Sequence, residues 1–374
     1  MRLTIDKENF LKALNDASRA IASRNPIAVL ANFKIELNER GLEVTGSNND
    51  ITVRSFVPYE KNGRTMISNG VPGTTIINAH LLLDIVRQLE GNTISFDVID
   101  DSLAKIYDGQ TNLKLVCARG DEYPDIDLDG TAGIEITMTV AALTELVNQS
   151  AFAATTKEQL PLLTAVNIEM MDGKMTATAT DSARLSRKSI PIDSPARLKT
   201  NIPAKSLVEI VRLAEGSDLI KMVVSDRKVL FFYDGNVVSS RLIPGDYPVS
   251  RNIIPSVCNY RLQVNSQELL SAMSRISILS ADRESVVKLS MSEERVEVSV
   301  RSDRHGSGSE AIKTFQYDGD PLEVSFNSLF VIDAIKALKT EDVTICFQAE
   351  MRPFVVKNPS DDTVVELITP MKTH

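Results

Sequence analysis

Apolar residues fall at helical spacing in one stretch of the chain and at alternate positions in the next, and the succession recurs. From Glu8 to Ala22, Phe10, Leu11, Leu14, Ala17 and Ile21 share one face, which predicts an amphipathic helix; Val140 to Ala153 and Ser266 to Ser277 follow the same rule. A hairpin of alternating runs comes after each helix. The runs are Asn32-Phe-Lys-Ile-Glu-Leu-Asn38 with Leu42-Glu-Val-Thr-Gly46, Val166-Asn-Ile-Glu-Met170 with Lys174-Met-Thr-Ala-Thr-Ala179, and Val287-Lys-Leu-Ser-Met291 with Val296-Glu-Val-Ser-Val300. Alternation means that each sheet buries one face.

A second helical pattern closes each unit. Leu82, Ile85, Val86 and Leu89 mark it first, and a polar turn then leads into an apolar strand from Thr93 to Val98. Ile85-Val86-Arg87 returns 125 residues later as Ile210-Val211-Arg212, and after a further 124 as Ala334-Ile335-Lys336. Asp121-Glu-Tyr-Pro124 likewise matches Gly245-Asp-Tyr-Pro248 and marks the linkers. The expected architecture is α+β: three tandem copies of a two-helix plus antiparallel-sheet unit, over residues 1–127, 128–255 and 256–374.

Composition changes this picture little. The 43% hydrophobic and 24% charged content of the 374 residues is that of an ordinary globular chain. Met1-Arg-Leu-Thr-Ile-Asp-Lys-Glu8 lacks a secretory apolar segment, and no apolar run approaches the ~18 residues that a membrane helix needs, so a cytoplasmic protein is expected. Cys117, Cys258 and Cys346 lie far apart without a CxxC spacing, and neither a zinc site nor a disulfide framework is expected.

Chemistry is scarce. GxxxxGK[ST], HExxH and GxSxG are all missing, and His80, His305 and His374 occupy unrelated repeat positions, so a catalyst is not expected. His305-Gly-Ser-Gly-Ser309 is glycine-rich, but it sits in a polar loop with no helix following to hold phosphate. The net charge of −9 argues against nucleic acid as a partner, although a sum can hide a basic face. A scaffold that binds only proteins is the competing class.

Over its full length, the threefold succession resembles the bacterial DNA polymerase III β subunit family, the sliding clamps. The segments that carry the resemblance are Ala179-Thr-Asp-Ser-Ala-Arg-Leu-Ser186, Gly245-Asp-Tyr-Pro248 with Ile253-Ile-Pro255, Ile278-Leu-Ser280 and Leu367-Ile-Thr-Pro-Met-Lys372. The resemblance implies a head-to-tail homodimer forming a six-domain ring on duplex DNA, helices inward, with no cofactor or metal and with ATP used by the loader alone. It also implies acidic outer surfaces that repel DNA everywhere except in the hole.

Site expectations follow from the resemblance and from charge. Arg24 resembles a DNA-contacting arginine of the family. Lys12 and Arg19 lie opposite the first helix's apolar stripe, while Arg87, Arg212 and Lys336 occupy one repeat position and Lys205 precedes Arg212 by seven; these are DNA-facing candidates, with a solvated helix face as the alternative. The resemblance places Leu163, Thr180, Leu185, Pro248, Ile253, Leu367, Thr369, Pro370 and Met371 around a pocket for linear peptides of the polymerase catalytic subunit, the clamp loader, and other polymerases and repair proteins. Ordinary core or linker packing is the alternative there. Ser182-Ala183 and Thr369 depart from the family pattern, which often has glycine-histidine and a larger apolar residue. The protomer contact is expected at Leu113 and Leu115 on one side and Ile278 and Leu279 on the other.

Overall fold

The computed structural model describes residues 1–22, 27–248, 253–255, 257–280 and 285–372. Six helices are α1 (Lys7–Ser18), α2 (Ala79–Gln88), α3 (Val140–Asn148), α4 (Ala204–Leu213), α5 (Ser266–Ile276) and α6 (Ser328–Leu338). Each follows directly on a strand, and local chemistry explains four of the switches. Asp6, Asn78, Asn265 and Asn327 stand at the N-caps of α1, α2, α5 and α6, and each side-chain oxygen accepts an N–H of the first turn. Periodicity alone carries α1 on to Ala22 and α3 to Ala153, but both stop earlier. Ser150 leaves helical geometry, and a short 3-10 turn, Ala151–Ala153, takes over.

Each copy shares the order strand, helix, three strands, strand, helix, three strands, the strands being counted as first to third from the first helix, with Glu60–Lys61, Arg64–Thr65 and Ile67–Val71 added in copy one and Phe315–Asp318 in copy three. The sheets cross the copy boundaries, so compactness groups the chain in two units: Met1–Val140 with Glu209–Leu242, and Ala141–Val208 with Ile243–His374. In the first unit, thirteen strands form one continuous antiparallel order. Its core joins Phe10, Leu14 and Ala17 of α1 and Leu82 and Val86 of α2 to the inward residues Phe33, Ile35 and Val44. In the second unit, sheets of nine and four strands pack beneath α5 and α6, whose Leu269, Met273, Val331 and Ile335 meet Leu289, Val298, Phe326 and Phe354.

The copies are stitched by one recurring rule. In the first unit, Ile51–Pro58, the third strand of copy one, pairs with Asn236–Arg241, the last strand of copy two. In the second unit, Arg184–Pro191, the third strand of copy two, pairs with Asp361–Ile368, the last strand of copy three. Two strands are left over. They are Gly306–Ile312, the third of copy three, and Asn112–Arg119, the last of copy one.

No helix among the described residues is long and apolar enough to cross a membrane. The expectation of unpaired cysteines is overturned: Cys258 and Cys346 are joined in a disulfide, with Cα atoms 5.1 Å apart across 88 residues of sequence. Spacing could not show it, because pairing of Tyr260–Asn265 with Asp342–Phe347 brings the two together. Cys117 is free and buried.

Candidate functional site

The groove expected from the sequence is assembled wholly within the second unit, and one tyrosine joins three of its walls. The buried Tyr247 hydroxyl accepts the Thr180 N–H at 3.0 Å and donates to the Ala165 carbonyl at 3.3 Å. Burial pushes its pKa up to about 12, against the Thr180 hydrogen bond, so it remains a neutral donor and acceptor. Asn201 holds the same segment from below, donating through Nδ2 to the carbonyls of Ile243 and Gly245 at 3.2 and 2.8 Å. Tyr247 is thereby fixed beside the end of Lys174–Thr180, and Gly245 beside Leu162 of the turn Pro161–Thr164, which also carries Leu163.

The next wall is the turn from Thr180 to Arg184. Asp181 Oδ1 accepts the N–H groups of Ala183 and Arg184, and Ser182 takes a left-handed backbone at φ 80°. A side chain there is strained, and glycine would adopt the position more easily. Arg184, within the segment that carried the resemblance yet not singled out from it, is a hub. It reaches Asp181 at 3.0 Å, Asp333 at 2.7 Å and the Phe152 carbonyl at 2.9 Å, with its guanidinium over the Phe330 ring at 4.6 Å. The C-terminal wall is pinned to this turn by the Thr369 N–H, which donates to the Ala183 carbonyl at 2.9 Å, and to the strand Leu322–Asn327 by the Met371 N–H, which donates to the Ser325 carbonyl at 2.7 Å.

Leu185 and Leu367 face each other in register and are 2% and 4% exposed, clustered with Cys346 and Val355 and packed by Ile254 and Cys258. They form a floor. Pro370 is buried as well; Leu163, Thr180 and Met371 are half-buried, while Pro248, Ile253 and Thr369 are exposed.

Among the unpaired sheet edges of the described residues are the two leftover strands, one in each unit. Asn112–Val116 has a ladder partner on one side alone among the described residues, and so has Gly306–Ile312. Leu113 is half-buried and Leu115 lies in the core, so Leu115 is not presented for contact. The apolar residue offered at that edge is Val116, 81% exposed and unforeseen from the sequence. Beside the other edge, Ile278 is 77% exposed, whereas Leu279 packs partly against the core.

The DNA-facing candidates are all exposed, except that Arg24 lies outside the described residues. Most have acidic neighbours. Lys12 pairs with Asp16 at 2.8 Å, Arg87 with Asp84 at 3.4 Å, and Arg19 and Arg212 with Glu209 at 3.1 and 3.5 Å. Lys205 and Lys336 are exposed on α4 and α6. Exposed pairs of this kind contribute about 0 to 1 kcal/mol each, so a phosphate can take over the cation at small cost. Basic charge is not confined to the helices. On the sheet face opposite α5, a concavity of about 1080 Å³ is lined by Lys288, Arg301, Arg304 and Lys372 with Asp303. Among the described residues, no group of three or more His, Cys, Asp or Glu is placed to hold a metal ion.

Three family domains match in order. Residues 1–127 match the DNA polymerase III beta subunit N-terminal domain, 137–249 its central domain and 251–372 its C-terminal domain. The chain belongs to the DNA polymerase III beta subunit family. The Bacillus subtilis beta sliding clamp is 33% identical over 380 residues, covering all of both chains. A crystal structure of the DNA polymerase sliding clamp from that organism superposes with a TM-score of 0.95 at 32% identity, again over both chains in full. A Bartonella birtlesii sliding clamp bound to griselimycin superposes at 0.92 with 26% identity and complete coverage. The clamp fold expected from the threefold repeat is therefore present, and membership makes this a sliding clamp of DNA replication that serves DNA polymerase III.

Proposed function

We propose that two copies of this chain close head to tail into a ring around duplex DNA, which slides without reading sequence and tethers its partners at the groove near Tyr247. What carries the reading is the pair of leftover strands. Two seams already join a third strand to the last strand of the following copy. The same rule applied to Gly306–Ile312 of one protomer and Asn112–Val116 of another adds a third. Because the two edges differ, the contact is heterologous and must either close or propagate, and three copies per chain with two chains give a closed ring of six. Pairing satisfies the exposed backbone and covers Val116 and Ile278, with Leu113 and Leu279 at its margins.

Retention is then topological. A closed ring cannot leave long DNA sideways, so contacts from Arg24, Lys12, Arg19, Arg87, Lys205, Arg212 and Lys336 need only be weak and directed at phosphate. In the groove, Pro248, Ile253 and Thr369 offer the surface, Leu163, Thr180, Pro370 and Met371 the walls, and Leu185 and Leu367 an apolar floor. A linear peptide with an apolar anchor gains about 25 cal/mol per Å² buried there, enough for a reversible hold shared by the polymerase catalytic subunit, the loader and repair proteins. The griselimycin bound by the Bartonella relative supports a site of this kind. In this reading the chain is a binding scaffold rather than a catalyst, it works in the cytoplasm, and its three domains follow the sequence copies.

Linearisation provides the test. Protein loaded on nicked circular DNA is expected to remain bound at high salt and to dissociate when the circle is cut. Retention on the cut DNA, or release from the intact circle at the same salt, would defeat the ring.

A further inference from the structure

The groove's floor contains a sulfur pair that tethering does not require. Cys346 lies on the strand Asp342–Phe347 and is buried; Cys258 lies just ahead of Tyr260–Asn265 and is half-buried. Their bond sits in the cluster of Leu185, Leu367 and Val355, against which Ile254 also packs. Ile254 and Cys258 come from the segment that carries the groove residue Ile253, while Leu185, Leu367, Val355 and Cys346 come from the sheet. The disulfide is thus a covalent tie between two walls of the groove.

We propose that Cys258 and Cys346 form a reversible thiol–disulfide site whose state sets the groove's affinity for its ligands, an inference that rests on the docking function proposed above. The co-reactant is a dithiol in one direction and a small disulfide in the other. A thiolate of the dithiol attacks the more accessible Cys258 Sγ, the protein S–S bond breaks, and Cys346 departs as a thiolate that takes up a proton. The second thiol then attacks the mixed disulfide, freeing Cys258 as a thiol while the reagent closes into its own disulfide. Two electrons and two protons have passed to the protein.

Both states are chemically satisfied. In the reduced form, Cys258 has an acceptor at hand in the Tyr260 carbonyl, 3.5 Å from Sγ. What reduction changes is preorganisation: once the tie is cut, Ile254 keeps its packing and the Asn259 N–H its bond to the Phe347 carbonyl at 3.0 Å, but the covalent hold is lost and the ligand must supply more of the segment's order.

The test uses griselimycin as probe and the full chain in two redox states. Thiol counting on denatured protein is expected to give one thiol after oxidation, that of Cys117, and three after reduction, with the 258–346 linkage identified by peptide mass spectrometry. Calorimetric affinity is expected to fall about threefold to tenfold on reduction, the effect of one or two groups losing preorganisation. Cys258→Ser is expected to bind like the reduced chain and to ignore reductant; it substitutes the half-buried partner, and the redox comparison on the unaltered chain stands without it. Equal affinity in both states, or three thiols after oxidation, would overturn the proposal while leaving docking intact. No binding in either state would instead defeat the docking function and this inference together.

Discussion

The two closed seams and the two open edges are made from equivalent strands of one repeat, yet they differ in what they bury. In the seam of Arg184–Pro191 with Asp361–Ile368, Lys188 is 3% exposed and reaches Glu145 at 2.6 Å, Asp361 at 2.9 Å and the Thr363 hydroxyl at 2.8 Å. Glu366 lies in the same ladder opposite Ser186. The other seam uses neutral groups: the Asn236 amide oxygen accepts the Phe56 N–H at 2.9 Å and the Ser55 hydroxyl at 3.3 Å. Both seams also bury apolar pairs, Leu185 against Leu367 and Val53 against Val238, and opening would expose them to water, so both are committed to staying shut. The open edges present Asn112, Lys114, Ser307 and Ser309, which water satisfies. An edge that can exist alone can also be released, as opening of the proposed ring requires.

The sharpest way to break this comparison is to place charge on the open edges. Val116→Asp or Ile278→Asp is expected to weaken self-association by about a hundredfold or more, since an unpaired carboxylate would be buried in the new seam. Sedimentation should show monomers that unfold cooperatively with a midpoint independent of concentration, because neither residue supports its own core. Dimers of undiminished affinity would remove these strands from the interface. Leu279 is a poorer choice, since its contact with the core would mix folding with assembly.

A smaller effect isolates the committed seam. Burial drives the Glu366 carboxyl well above its ordinary pKa. The Ser186 hydroxyl has a single proton and already reaches the Gln149 carbonyl, so a protonated Glu366 that donates to Ser186 completes the network. A carboxyl whose folded pKa is raised stabilises fully below its unfolded pKa, and that contribution is lost as pH rises through the folded value. Glu366→Gln stays neutral throughout. Thermal unfolding should therefore find the two proteins similar near pH 4 and the glutamine variant increasingly more stable at higher pH, by at most ~1.4 kcal/mol per unit. A constant gap across pH would show that Glu366 is ionised in place.

The repeat was legible because duplication preserves hydrophobic period, and Arg87, Arg212 and Lys336 aligned on it without any structure. Edge chemistry was less legible for a specific reason. In Asn112-Leu-Lys-Leu-Val-Cys117 the alternating Leu113, Leu115 and Cys117 point inward, and Val116 is apolar at an outward position. That break in alternation is the signal of an exposed apolar edge that the sequence carries. The Cys258–Cys346 bond, the Arg184 hub and the Tyr247 bridge join residues tens of positions apart, and one sequence has no term for such pairing. The capped helices were nearer the surface of the sequence, as Asp6, Asn78, Asn265 and Asn327 directly precede them.

The smallest change sharpens the comparison at the turn that feeds the committed seam. Ser182 sits at φ 80°, where a side chain costs about 1 kcal/mol and glycine little, although glycine also loses more freedom on folding. The Ser182 N–H bond to Thr180 Oγ1, at 3.2 Å, is made by backbone and survives substitution. Ser182→Gly is therefore expected to stabilise the fold by about 0.5 kcal/mol in denaturant unfolding, with self-association unchanged because the open edges lie elsewhere. A loss of stability would mean that the hydroxyl contributes more at this turn than relief of the backbone returns.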